Sequence, residues 1–308
     1  MFRVLGGLAG ALAGAGAMLV YWDATSSPHG SSFVLGQTAN LSLAYLDGFH
    51  ETVVTGAVDE FYAAMRDPTV GLLTVANHGS VIDDPVLVSA ITPRDVLTNP
   101  RQMRTVLCAA EICFGNFLTS AYFALGKALP VVRGGGTRQA SLQTCADVLA
   151  SGSWVHVFPE GKVVQDVPLD LIRHGAGRIA VDAAHREGRS ADNIVLIPFY
   201  HRGMQAVKPK GKGFATDKVR IHVIVGRPIP LLPQDTSKTS VSHVSRLIET
   251  SLRELEAEME EIYPFEQVRQ PPKKKKKREE EEEEEEKTVR SGPATSETGG
   301  PSTSASAP

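Results

Sequence analysis

The run Leu72-Leu73-Thr74-Val75-Ala76 passes directly into Asn77-His78-Gly79-Ser80-Val81-Ile82-Asp83-Asp84-Pro85. Its first five residues form an apolar block of strand length that ends in a loop signal, a buried strand delivering a histidine to its tip. A histidine titrates near neutral pH and can take a proton from a reacting group. A carboxylate beside it fixes its tautomer and stabilises the imidazolium. His78 and Asp83 stand five residues apart, which on a regular helix puts two side chains about 140° apart, on different faces. They can meet only if the chain between them turns. Gly79 permits a sharp bend, and Asp84-Pro85 has the form of an N-cap followed by proline at the first helical position. Asp83 is then the candidate partner of His78, and Asp84 a structural residue. A loop histidine ahead of an ordinary helix start is an equal reading of these residues taken alone.

The same alternation continues outward. Leu43, Leu46, His50, Val53, Ala57 and Phe61 keep a spacing of three to four residues and predict an opening amphipathic helix. Further strands are expected at 106–109, 129–132, 154–158, 194–200 and 219–225, with helices at 111–125, 137–150, 173–186 and 240–261. Such alternation predicts an α/β sheet with helices on its faces, a single domain over residues 42–270. The apolar stretch from Ile112 to Val132 is long enough to cross a bilayer, but Gly115, Gly126 and Pro130 interrupt it. It is read as a helix packed on the sheet and dipping into one leaflet.

Two more strand ends carry chemistry. Phe158-Pro159-Glu160-Gly161-Lys162 follows an apolar strand and offers a carboxylate, a cation and a close backbone approach at the edge where α/β folds place ligands. Leu129-Pro130-Val131-Val132-Arg133-Gly134-Gly135-Gly136 ends in a basic, glycine-rich turn that could hold a phosphate. No Gly-Lys-Ser/Thr follows it, so it is not a Walker loop, and neither a Gly-x-Ser-x-Gly elbow nor a His-Glu-x-x-His pair occurs. The three cysteines, Cys108, Cys113 and Cys145, lack zinc-site spacing and read as buried thiols. No metal site is expected.

Composition bounds the rest. The 308 residues carry 32 Lys+Arg and 35 Asp+Glu, a net charge of −3 that excludes a nucleic-acid binder working by bulk positive charge. Residues 1–27 hold an uncharged run from Val4 to Trp22, about 28 Å as a helix and close to the thickness of a bilayer core. A membrane anchor is the leading reading, with a cleaved leader as the alternative. Gly6, Gly10 and Gly14 would admit a second helix. Residues 271–308 pass from Lys273–Arg278 through Glu279–Glu286 into Ser, Thr, Pro and Gly, a composition that cannot bury a core and is expected to be disordered.

In this order, Asn77-His78-x4-Asp83, Ala109-Ala110-Glu111-Ile112-Cys113-Phe114, Leu125-Gly126-Lys127, Pro130-Val131-Val132-Arg133-Gly134, Phe158-Pro159-Glu160-Gly161, Gly175-Ala176-Gly177-Arg178 and Ile197–Met204 resemble the glycerolipid acyltransferase family over roughly residues 42–265. The Trp154-Val155-His156-Val157-Phe158-Pro159-Glu160-Gly161-Lys162-Val163 run and the Asp83-Asp84-Pro85 triplet resemble a mitochondrial branch of it. The resemblance implies a mostly parallel central sheet and a membrane-associated enzyme facing the intermembrane space. It implies an acyl chain passing from a phospholipid to a lysophospholipid, cardiolipin included, with no cofactor. His78 would be the base and Asp83 its partner, with Asn77, Arg133, Glu160, Gly161 and Lys162 near the substrate and Arg178 a weaker candidate. Two rivals stay open: an enzyme that depends on acyl-CoA, and a non-catalytic module binding anionic lipid through Lys273–Arg278 and Lys162. A homo-oligomer is compatible with either.

Overall fold

The computed structural model describes residues 28–269, apart from 98, 100–101, 166–168 and 232–234. The leader at 1–27 and the charged tail at 271–308 lie outside the described residues. Among the described residues seven strands form one sheet: β1 (Glu51–Gly56), β2 (Gly71–Ala76), β3 (Thr105–Ala109), β4 (Ala128–Val131), β5 (Trp154–Val157), β6 (Ile194–Arg202) and β7 (Arg220–Val225). Their order is β1-β7-β6-β2-β5-β3-β4, with every pair parallel except β6 with β7. The main helices are α1 (Pro28–Phe49), α2 (Val58–Arg66), α3 (Phe117–Leu125), α4 (Ala140–Ala150), α5 (Gly175–Ala184) and α6 (Lys238–Ile262).

Successive strand side chains point to opposite faces, so the wholly buried β2 feeds two cores. Leu73 and Val75 pack with Leu142, Leu149, Ile179 and Val244 from α4, α5 and α6. Leu72 and Ala76 pack on the other face with Leu46 and Phe61 of α1 and α2 and with Phe199. A side chain of this size, once buried, contributes about 1.5–3 kcal/mol, so β2 is held from both sides. It runs parallel to β5 on one side and β6 on the other, which brings the C-terminal ends of all three to one edge.

Three expectations need correction. The helix expected through 43–61 is α1, β1 and α2 in succession, because the β-branched run Thr52-Val53-Val54-Thr55 pairs in parallel with β7. At Gly56, with φ +88°, a Cβ would stand 2.1 Å from the Val225 carbonyl oxygen, so only glycine closes that strand end. The apolar stretch 112–132 is not one helix: α3 fills its middle and β4 its end, with Gly126 and Lys127 turning between them. Cys108 and Cys113 are disulfide-bonded, because the short turn Ala110–Cys113 folds back onto β3 and brings their Cα atoms to 6.2 Å, while Cys145 is a buried thiol. Among the described residues no helix is long and apolar enough to cross a membrane.

Gly177 sits where α5 crosses α6. A Cβ there would come 2.8 Å from the Val241 carbonyl oxygen, and Ser245 Oγ is closer still. Gly177→Ala is therefore expected to cost about 1–3 kcal/mol by overpacking, despite alanine's better helix propensity, and urea unfolding measures it. A variant as stable as the parent would show that the two helices separate freely.

Candidate active site

The turn after β2 is built around one carboxylate. Asp83 is fully buried, and its Oδ2 accepts from the Ser80 backbone N–H at 2.8 Å and from His78 Nδ1 at 3.0 Å. The Asp83 N–H in turn donates to the Ser80 carbonyl, which folds residues 80–83 into the turn that the spacing required. Since the carboxylate only accepts, Nδ1 of His78 carries the hydrogen and Nε2 is left as the basic nitrogen. Gly79 has no positive φ, and a Cβ there would make ordinary contact with His201 Cε1 at 3.4 Å, so neither the turn nor the packing requires glycine. The His78 ring stacks on Phe158, centroids 4.0 Å apart, and its backbone N–H donates to Glu160 Oε1 at 2.7 Å.

A second histidine completes the cluster. His201, near the end of β6, is buried and places Nε2 2.9 Å from the Asn77 carbonyl oxygen and 3.3 Å from Asp83 Oδ2. Both neighbours are acceptors, so Nε2 carries the proton and His201 is a third donor around that oxygen. Burial alone would raise the Asp83 pKa, but His201 and His78 outweigh it and hold the carboxyl well below the ordinary range.

His78 opens onto a cavity of about 840 Å³ whose wall is mostly apolar, including Val81, Met103, Phe123, Val131, Phe158 and Leu171. That volume suits a long flexible apolar group. Its charged lining comes from Arg104, Arg133, Lys162 and Arg173, with Asp84 and His174. Arg133 pairs with Glu111 at 3.3 Å and Lys162 with Asp170 at 2.6 Å, and both cations stay half exposed. Gly161, with φ +67°, lies against the Arg173 side chain on the same wall.

The family model described as Acyltransferase matches residues 61–202, the span from α2 to the end of β6 and so every group of this cluster. That span is a little under half of the chain. Among curated proteins it is 31% identical to the tafazzin of Drosophila melanogaster over 210 residues, 64% of this chain and 53% of that one. It is 35% identical to the tafazzin of Dictyostelium discoideum over 165 residues, 52% and 56% of the two chains. An N-acylphosphatidylethanolamine synthase of Arabidopsis thaliana is 36% identical over 172 residues, 53% and 57% of the two chains. The chain thus spans a little over half the length of each of these relatives.

Within this cluster the expected site residues divide. His78, Arg133, Gly161 and Lys162 line the cavity; Asn77 and Glu160 do not. Asn77 is buried with its amide used up: Oδ1 accepts from the His201 N–H at 2.9 Å, and Nδ2 donates to the His201 carbonyl at 3.0 Å. It fastens the end of β2 to β6. Glu160 is buried, accepting from the His78 N–H through Oε1 and from the Asp170 N–H through Oε2 at 2.9 Å, so it fixes the backbone at His78 and does not face the cavity. Burial raises its pKa. Arg178 makes an ordinary pair with Asp182 on α5. Asp84 is structural, but not as an N-cap: its backbone is extended and its carboxylate grips the buried Arg104, with Nε to Oδ2 at 2.9 Å. His201 and Arg104 are the residues sequence reasoning missed. His201 stands inside the quoted Ile197–Met204 block, which was the one signal for it.

His156 lies beneath the cluster, its Nδ1 hydrogen-bonded with Thr74 Oγ1 at 2.8 Å, and that hydroxyl accepts from Trp154 Nε1. Burial pushes its pKa down to about 3, and the Arg104 charge adds in the same direction while Asp84 opposes it. The unfolded chain takes up a proton at His156 below about pH 6.5 and the folded chain resists, so acid favours unfolding from there down towards pH 3. The depressed His50 and His222 act with the same sign. Asp83 enters only as pH falls through the ordinary carboxylate range near 4. Urea midpoints should therefore drop between pH 7 and pH 5, and His156→Gln should make that drop smaller. An unchanged drop would place the acid sensitivity elsewhere.

Proposed function

We propose that this protein is a phospholipid acyltransferase that moves an acyl chain from a phospholipid ester to the free hydroxyl of a lysophospholipid. The observation that carries it is the His78 Nδ1–Asp83 Oδ2 bond, with His78 on the wall of an apolar cavity. His78 Nε2 takes the acceptor hydroxyl's proton as its oxygen attacks the acyl carbonyl carbon. A tetrahedral intermediate forms, its old ester C–O bond breaks, and the departing oxygen takes the proton back from His78. Asp83 stays ionised throughout and stabilises the transient imidazolium. One ester is exchanged for another, so the step is nearly balanced in free energy and needs no coenzyme A. Arg133 and Lys162, half exposed on the cavity wall, suit the headgroup phosphate.

A bilayer supplies both substrates in this reading. The exposed Phe117 and Leu118, at 79% and 77% of their full surface, begin α3, and Tyr122 and Phe123 of the same helix line the cavity. Cardiolipin as a substrate and membranes facing the mitochondrial intermembrane space belong to the same proposal; the motif resemblance and the similarity to tafazzins support them.

Transfer of a labelled acyl chain between lipids in vesicles free of coenzyme A is the test. The parent chain should be active. His78→Ala should abolish transfer, and Asp83→Asn should lower it by roughly 10²–10⁴-fold. Activity only after acyl-CoA is added would select the acyl-CoA-dependent reading, and parent-like turnover in either variant would remove the mechanism.

A further inference from the structure

The lysine-rich loop after β6 is used by neither the chemistry nor the core. Lys208-Pro209-Lys210-Gly211-Lys212-Gly213-Phe214 is exposed over Lys210–Phe214, and Phe214 shows 54% of its surface. The loop is fastened to the catalytic turn. The Lys208 carbonyl accepts from Ser80 Oγ at 3.3 Å and from Gln165 Nε2 at 3.1 Å. Gln165 also donates to the Gly79 carbonyl at 2.8 Å and accepts from the Lys210 N–H at 2.6 Å.

The same loop is joined to α1 by aromatic contacts. Phe214 packs edge-on against Tyr45, centroids 5.4 Å apart, and Tyr45 lies 5.8 Å from Phe49. Lys208 Nζ sits 5.2 Å over the Phe214 ring. Val34, Thr38, Leu41, Tyr45 and Phe49 are spaced by three or four residues and share one flank of α1. That flank is continuous with the reaction site: Val34 lines the cavity, and Thr38 Oγ1 meets Tyr122 OH at 3.1 Å. Further along it, Leu41 and Phe49 expose 71% and 63% of their surface. Asp47, nine residues beyond Thr38, projects about 180° away from it. Lys218 and Arg220 are directed at Glu51, and Asp217 is the exposed acid that follows the loop.

We propose that the Lys208–Phe214 loop and the Val34–Phe49 flank of α1 form a docking surface for an anionic lipid bilayer, which holds the cavity mouth against the headgroups. It rests on the lipid-substrate reading above and adds where and how the membrane is met. An isolated exposed leucine is unremarkable. A line of exposed apolar and aromatic side chains beside a lysine cluster is the composition of an interfacial surface, in which rings enter the headgroup layer and lysines meet its negative charge. The chain's own acidic run Glu279–Glu286 would complement the lysines but carries no apolar side chain to match Leu41, Phe49 and Phe214.

Phe214→Trp in the full chain supplies a reporter, read as the difference from the parent, which already contains Trp22 and Trp154. With phosphatidylcholine vesicles containing phosphatidylserine, the new indole's emission should shift to the blue and be quenched by lipids brominated near the headgroup. Both changes should weaken with added salt. The double change Lys210→Glu with Lys212→Glu should lower partitioning onto those vesicles by roughly 10–100-fold while transfer in detergent micelles stays intact. An indole that remains water-exposed on a chain that sediments with the vesicles and transfers acyl groups in micelles overturns the docking surface alone. A parent chain inert in micelles and vesicles alike overturns the lipid-substrate reading itself. A blue shift produced without lipid, and lost when residues 271–308 are removed, would assign the surface to the acidic run and overturn the lipid proposal.

Discussion

A single carboxylate oxygen organises the reaction end of the sheet. Asp83 Oδ2 receives a backbone N–H from Ser80, the Nδ1–H of His78 and the Nε2–H of His201. A buried carboxylate without such donors would cost several kcal/mol or take up a proton. Here the donors offset desolvation and keep the charge. Because the charge persists, the His78 tautomer is set and Nε2 is basic; because the side chain is immobile, the imidazole cannot rotate away. Electrostatics and geometry are supplied by the same atoms.

The surrounding polar residues are fasteners for strand ends. Where a strand stops, its backbone groups lose their ladder partners and must find others. Asn77, with a donor and an acceptor on one short side chain, replaces a ladder step between β2 and His201 of β6. Glu160, with two carboxylate oxygens, takes the N–H groups of His78 and Asp170 and so ties the loop after β5 to the one after β2. Arg104 performs the corresponding task from the other side, joining Asp84 to the Gly126 carbonyl at 3.2 Å. These residue types are needed for their bonding valence, and their closeness to the base follows from the parallel alignment of β2, β5 and β6.

That distinction marks what the chain's primary structure could disclose. Apolar runs announce β2 to β7 because burial on both faces requires them, and the His78–Asp83 turn is legible because both partners lie within one short segment. β1 was hidden: Val53, Ala57 and Phe61 satisfy a helical period across what are a strand and a new helix. His201 was out of reach for another reason. It stands 124 residues from Asn77 in the chain, and only the pairing of β6 with β2 makes them neighbours. Asn77 and Glu160 were recognised as polar groups at the right strand ends, but whether such a group faces substrate or backbone depends on side-chain direction, which spacing does not carry. Cys108 and Cys113 looked like two separate thiols until the turn after β3 folded one onto the other.

Under the proposed reaction, an acyl donor imposes one further physical demand. Each methylene moved from an apolar medium into water costs about 0.8 kcal/mol, so a chain of about sixteen carbons crossing water would meet a barrier of about 13 kcal/mol. A cavity at His78 can be filled at a useful rate only if its mouth adjoins the hydrocarbon from which the chain comes. Transfer from one apolar medium to another is then almost free, and the protein need recognise only the polar headgroup at the boundary. The wall composition fits that division of labour: apolar side chains along the cavity, with the cations Arg133 and Lys162 half exposed on it. On that proposal the apolar wall and the base are two parts of one requirement, since a base that abstracts a lipid's proton is useful only where the lipid can arrive without being wetted.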